Sequence, residues 1–303
     1  MRKFKISNLA ARRMRGLEEP PAAAPAEAAP KKPAPETQPA RQLQVTSRTD
    51  TGLIRPNNQD AVILGGGLMG IADGMGGHNG GETASAGVRD GLLKALSGKK
   101  PDKTTLEDAV KSVNLALWNQ QEADAALSGM GTTLSVLWPA EEVMLIAHVG
   151  DSRVYLMREG TLRQVTKDHS MVADMVRRGL LTEEQAAAHP MRNYITRAVG
   201  TEPTVQVDIL GVERQPGDRW LVCSDGLHGL VEKRELERLM AERDMEEAAD
   251  QMIREALDRG GRDNVSLVLA WEKESGSDPE KTEHQEDHAN QPVREERREE
   301  VTE

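Results

Sequence analysis

The sequence is poor in aromatic side chains, with four Trp, two Tyr and one Phe in 303 residues. That is too few for a base-stacking platform, so the interior must be built from Leu, Val, Ile, Met and Ala. Cysteine is rarer still. Cys223 stands alone, which excludes an internal disulfide and a Cys-rich zinc site and points to a reducing, cytosolic setting. Position 229 is Gly rather than Arg, so Cys223 does not open a cysteine-phosphatase loop; ending an apolar run, it reads as a small buried hydrophobe. No stretch approaches 18 consecutive apolar residues, and no membrane-spanning helix is expected. The start lacks the apolar run of a secretory signal. No Gly-x-x-x-x-Gly-Lys-Ser/Thr loop occurs, which argues against a P-loop nucleotidase. A cationic face is also missing: the formal net charge is −11, which argues against nucleic acid as the main partner.

What charge there is lies unevenly. Residues 1–42 carry nine basic and four acidic side chains, and residues 272–303 carry five basic and twelve acidic ones. The first 17 residues are basic without an acid and offer a contact for anionic lipid or an acidic partner, although a plain charged leader is the simpler reading. Residues 19–40 are dominated by Ala, Pro and Glu, the composition of an extended linker. Residues 272–303 have too few apolar side chains to offset their ordering entropy. Three parts are expected: a disordered segment 1–42, one domain over 43–271, and a disordered acidic tail 272–303. A monomer is expected.

Within 43–271, short apolar runs at 61–64, 68–72, 132–138, 143–149, 153–157, 205–212, 219–223 and 265–271 predict strands. Gly65, Gly66 and Gly67 predict a hairpin turn. Only Gly150, Asp151 and Ser152 separate Val143–Val149 from Arg153–Met157, which predicts a second antiparallel hairpin. Helical periodicity covers about 82–97, 105–127 and 231–258, the last in two pieces. Strands come in pairs and helices in blocks, so the expected class is α+β, with antiparallel sheets and helices packed outside. Residues 166–200 are mostly polar and partly helical, and a segment of this length between strands suggests a functional flap.

Four aspartates stand at strand ends. Asp73 and Asp225 each precede a glycine, Asp151 follows Gly150, and Asp263 precedes Asn264 and the last strand. Each alone is an ordinary turn residue. As a set without clustered His or Cys, they suit a hard, oxygen-seeking cation such as Mg²⁺ or Mn²⁺. Two such ions about 3.5–4 Å apart can orient a hydroxide for in-line attack on phosphorus. Arg55 is the candidate cation for the phosphate oxygens. His148 and His169 have no second His or Cys at zinc spacing and read as structural.

Six stretches follow one another in the chain: Asp50-Thr51-Gly52 through Arg55 to Asn58-Gln59-Asp60; Ala72-Asp73-Gly74-Met75-Gly76-Gly77-His78; Gly131-Thr132-Thr133; Val149-Gly150-Asp151-Ser152-Arg153; Ser224-Asp225-Gly226-Leu227; and Gly261-Arg262-Asp263-Asn264-Val265-Ser266. In that order they resemble the metal-dependent protein phosphatases (PPM, or type 2C), in particular the bacterial Ser/Thr branch. The resemblance implies two antiparallel β-sheets sandwiched between layers of α-helices. It implies two or three Mn²⁺ or Mg²⁺ ions, with Asp73 bridging two of them and the Gly74 carbonyl on the second. Asp225 and Asp263 would complete the first site, and Asp151 with Asp225 would bind a third ion. Arg55 would grip the phosphate, metal-bound water would be the nucleophile, and Gln59, Asp60 and Asn264 would support the site. The implied activity is hydrolysis of phosphoserine and phosphothreonine in cytoplasmic proteins, reversing a bacterial Ser/Thr kinase.

Two departures from the family pattern stand out. Gln59 occupies a position usually held by glutamate; it keeps an acceptor oxygen and loses a charge, which predicts weaker binding of the second ion. Met75 occupies the place of a histidine that serves some members as proton donor, and His78 lies three residues on. A catalytically weak phosphoprotein-binding module and a small-molecule phosphoesterase are the alternatives.

Overall fold

The computed structural model describes residues 42–76 and 80–273. The expected leader, linker and acidic tail, together with His78, lie outside those residues apart from Gln42, Glu272 and Lys273. The elements are β1 Leu43–Asp50, β2 Asp60–Gly65, β3 Leu68–Met75, α1 Gly80–Leu96, α2 Lys103–Ala123, β4 Gly131–Thr132, β5 Leu134–Pro139, β6 Val143–Val149, β7 Arg153–Arg158, β8 Thr161–Gln164, α3 Met171–Arg177, α4 Glu183–Ala187, β9 Asp208–Glu213, β10 Arg219–Cys223, α5 Asp225–His228, α6 Lys233–Met240, α7 Met245–Asp258 and β11 Val265–Glu272. No described helix is long and apolar enough to cross a membrane.

The strands form two antiparallel sheets. One has the order β1-β11-β10-β7-β8, and the other β2-β3-β5-β6-β9 with the short β4 against β3. Strand alternation divides the apolar side chains among three layers. Met69, Ile71, Ile146, Val154, Trp220 and Val268 meet between the sheets. Leu68, Val136 and Ala147 face the other way, onto Val88 and Leu92 of α1 and Val110 of α2. Leu221, Cys223 and Leu267 pack on Leu236 and Leu239 of α6 and Met252 of α7. α1 presents Ala84, Val88, Leu92 and Leu96 at every fourth position, one helical face. Asp102 caps α2 through Thr105 N at 2.9 Å, and Asp244 caps α7 through Glu246 N at 2.8 Å; such caps contribute about 1 kcal/mol each.

The glycine turn forms as expected. Gly65 pairs with Leu68, and Gly66 and Gly67 take φ of 57° and 83°, the left-handed backbone of a two-residue hairpin. The second expected hairpin does not form. β6 pairs with β5 and β9, whereas β7 pairs with β10 and β8. At Gly150–Ser152 the chain leaves one sheet and enters the other. A short gap limits how far the next strand can travel, but it does not oblige neighbours to pair when each has partners on both sides. Gly150 makes the crossing at φ 107°, and a Cβ there would meet Thr133 Cβ at 2.7 Å.

The predicted run 132–138 is broken by Thr133, which separates β4 from β5. β1 and β8 lacked an apolar signal: β1 is largely exposed or half-buried, and β8 buries only Leu162. β11 extends through Glu272, whose buried carboxylate holds Arg214 Nη2 at 3.0 Å.

The crossing yields a stability prediction. Gly150→Ala combines an unfavourable φ with a clash against Thr133 Cβ and Cγ2 at 2.7 Å, and is expected to cost at least about 2–3 kcal/mol. Gly66→Ala, with nothing within 4 Å of the new methyl, should cost about 1–2 kcal/mol. Urea unfolding of both variants against wild type measures the difference, and equal costs would refute the crossing geometry.

Candidate active site

The layer between the sheets changes character along its length. On β3, Met69 and Ile71 are followed at the next alternate position by Asp73. On β2, Asp60 shares the face of Val62 and stands opposite Asp73 in the strand pairing. On β5 and β6, Ser135 and His148 take the positions after Leu137 and Ile146. On β11, Ser266 continues the face of Val268 and Ala270, with Asn264 next in line. At this end the inward positions are polar on both sheets, and the loops joining the strands add three more acids.

Asp151 lies in the crossing between sheets, Asp225 opens α5 directly after β10, and Asp263 precedes β11. Asp73, Asp151, Asp225 and Asp263 line one open cavity of about 200 Å³, and Arg55, Gln59, Gly74 and Asn264 line it with them. Asp60 sits behind this wall. The flap contributes Asn193 and Ile195 to the lining, which no motif or periodicity signalled. Among the described residues, no three His, Cys, Asp or Glu side chains are gathered closely enough to hold a metal ion as they stand. The acids stand around the cavity, and Arg55 Nη2 donates to Asp263 Oδ2 at 2.8 Å.

The electrostatics show how strongly the surroundings disfavour the charged form of the buried acids. Burial pushes Asp225 up to about 8, with Asp151, Asp263 and Asp60 adding repulsion and Arg55 opposing it. Burial raises Asp60 to about 6 and, with the charge of Asp168, raises Asp151 to about 6. Asp73 is raised well above the usual carboxylate range by burial, then by Asp60, Asp225, Asp151 and Asp263. One oxygen of Asp60 accepts from Ser224 Oγ at 2.9 Å, while its buried Oδ1 has no hydrogen-bond partner among the described residues. Desolvated, mutually repelling, all-oxygen donors with an orphaned carboxylate atom fit a divalent hard cation.

The backbone around the acids is braced by named contacts. Asn264 Oδ1 accepts from Gln59 N at 2.8 Å, and its Nδ2 donates to Thr51 O at 2.9 Å and Asn57 O at 3.0 Å. Asn264 therefore staples the whole Arg55 loop to the start of β11, a role beyond the support expected of it. Asp73 N donates to Thr133 Oγ1 at 3.0 Å, and Thr133 Oγ1 is 2.7 Å from Ser152 Oγ. Two glycines are required by space: a Cβ on Gly74 would lie 2.1 Å from Gly81 O, and one on Gly226 would lie 2.0 Å from Asn264 O.

The flap is tied to the same region. Arg153 and Asp168 form a forked pair, with Nη2 to Oδ2 at 2.7 Å and Nε to Oδ1 at 3.1 Å. His228 Nε2 lies 3.1 Å from Asp151 O. His228 falls to about 3, by burial and then by Arg153, so this ring is neutral and donates. His148 and His169 are buried and bond to Ser135, Lys167 O and Gly150 N, as the structural reading expected.

The chain is similar to known proteins in sequence and in fold. The chain is 40% identical over 234 residues to the serine/threonine protein phosphatase PstP of Mycobacterium tuberculosis; the match covers 75% of this chain and spans 45% of PstP, under half its length. It is 39% identical over 240 residues to the serine/threonine phosphatase stp of Listeria monocytogenes, covering 73% of this chain and 93% of that protein. The crystal structure of the M. tuberculosis phosphatase superimposes with a TM-score of 0.73 at 39% identity, over 77% of this chain and 99% of that one. The PstP catalytic domain in complex with two manganese ions gives 0.71 at 38% identity over the same shares. The family model for protein phosphatase 2C matches residues 55–268, and this chain belongs to that family.

Proposed function

We propose that the chain hydrolyses phosphoserine and phosphothreonine in proteins with the help of Mn²⁺ or Mg²⁺. The observation that carries this reading is the convergence of four aspartates and Arg55 on one open cavity. Asp73, Asp225 and Asp263, with Asp151 and the Gly74 carbonyl, would hold the ions. Bound divalent ions supply positive charge against the phosphoryl oxygens and acidify water. No Ser, Thr, Cys or His is among the described residues lining the cavity, so water is the nucleophile in this reading.

The chain's own groups perform the remaining work. Arg55 is half-exposed at the rim, and its guanidinium can offer two parallel N–H donors to non-bridging phosphate oxygens. It would exchange its contact with Asp263 for the substrate phosphate. Asn264 fixes the loop that carries Arg55, so the guanidinium is presented at a set distance from the acids. Asn193 and Ile195 of the flap line one side of the cavity. Met75 lines the wall without a titratable atom, and in this reading water protonates the leaving alkoxide. Opposition to a Ser/Thr kinase, a role in signalling and a cytoplasmic location follow from the substrate class and the lone thiol, and are part of the proposal.

Activity tests this directly. Wild type should release phosphate from a phosphothreonine peptide with Mn²⁺ and lose that activity in EDTA, and Asp225→Asn should lower it at least about a hundredfold. Phosphopeptide binding without turnover under any metal would favour a binding module, and far faster cleavage of nucleotides than of peptides would favour a small-molecule enzyme.

Stability tests the acid cluster separately. Acids raised in the folded state bind protons that the unfolded chain has released, so the metal-free protein should lose stability as pH rises from about 4 to 8. Each such proton contributes about 1.4 kcal/mol per pH unit. Urea unfolding of metal-free protein should show this slope, flattened in Asp225→Asn and offset by Mn²⁺; a pH-independent midpoint would contradict it. Gln59→Glu restores a charge beside the cavity and should tighten Mn²⁺ binding in titration calorimetry, and an unchanged affinity would remove Gln59 from the metal environment.

A further inference from the structure

Both ends of the flap meet at His169. The His169 N–H donates to the Gly150 carbonyl at 2.8 Å, and His169 Nδ1 accepts from Gly150 N at 3.1 Å. One residue thus holds both polar backbone groups of the glycine that precedes Asp151. The far end of the flap returns to the same residue. Thr196 N donates to His169 O at 2.8 Å, and Arg197 Nη1 lies 3.1 Å from His169 Nε2. Asp208 completes the group, with Oδ2 3.3 Å from His169 Nε2 and Oδ1 accepting from Arg197 Nη1 at 2.9 Å.

The Gly150 peptide has little freedom to find other partners. Its φ is 107°, and the space beside its Cα is filled by Thr133. The His169 ring is 4% exposed and lies tilted at 37° against His148, with centroids 4.8 Å apart. Packing alone could be met by any flat ring; the Gly150 N–H requires an acceptor at the place of Nδ1.

We propose that His169 is a positioning residue: it locks the Gly150–Asp151 turn to the flap and so fixes where the Asp151 carboxylate stands relative to Asp225. The flap and the acid cluster then move as one unit, because the residue that closes the flap also orients the turn carrying a candidate ligand. The inference rests on the phosphatase reading only in assigning Asp151 to a cation; the tie itself belongs to the protein without metal.

Two substitutions in the full chain separate positioning from packing. His169→Phe keeps a ring against His148 and removes the acceptor. His169→Asn places an oxygen where Nδ1 stood and removes the ring. Amide hydrogen exchange by NMR on metal-free protein reads the Gly150 N–H, and calorimetric Mn²⁺ titration and steady-state kinetics on a phosphothreonine peptide read the consequence. In His169→Phe, Gly150 should exchange at least about tenfold faster, and Mn²⁺ affinity or kcat should fall about 10–100-fold. His169→Asn should restore protection at Gly150 and most of the Mn²⁺ affinity. A folded His169→Phe with unchanged Gly150 exchange and unchanged Mn²⁺ binding overturns the inference, as does a His169→Asn no better than His169→Phe. If wild type neither binds Mn²⁺ nor turns over peptide while His169→Phe still frees Gly150, the tie stands and the phosphatase reading fails.

Discussion

Like charges held out of water are the constraint on which this structure depends. Asp60 and Asp73 face each other across neighbouring strands, and Asp151, Asp225 and Asp263 complete the ring of repulsion around Asp73. A core of this kind favours protonation or a cation. The surrounding contacts among the described residues keep the acids in place regardless.

Those contacts come from both sheets. Thr133, between β4 and β5, reaches Asp73 on one side and Ser152 on the other. Asn264, at the start of β11, holds the backbone on both sides of Arg55. Glycines at 74 and 226 let main chains approach where any methyl group would collide. The site is therefore rigid in its backbone and strained in its charge, a combination suited to binding an ion whose attraction offsets the repulsion without moving the scaffold.

Much of this was legible in the sequence, and for identifiable reasons. The four aspartates stood out because each interrupts the edge of an apolar run beside a residue of small or turn-forming type. The layered antiparallel fold followed from paired strands and grouped helices. The 143–157 hairpin does not form because chain proximity alone does not decide pairing; the competing partners include β9 and β10, whose paired residues lie as far away as Glu213 from Val143 and Cys223 from Arg153. β1 was missed because its alternation is blunted by exposure. Asp60 reads from the sequence as support, and its position opposite Asp73, behind the cavity wall, is visible only in the strand register. Asn193 and Ile195 reach the cavity through the path of the flap, and no local pattern encodes such a path.

β11 lies between β1 and β10 in its sheet, and all eight residues of β1 pair with it across roughly 220 positions of sequence. During synthesis from the N-terminus, the first strand emerges without its neighbour and waits until residues 265–272 leave the ribosome. Asp263 and Asn264 arrive with that same strand, so the last acid and the staple for the Arg55 loop are delivered together. A nascent chain lacking them has an unfinished sheet and an unfinished cavity at once, so the fold and the cavity are completed in the same step.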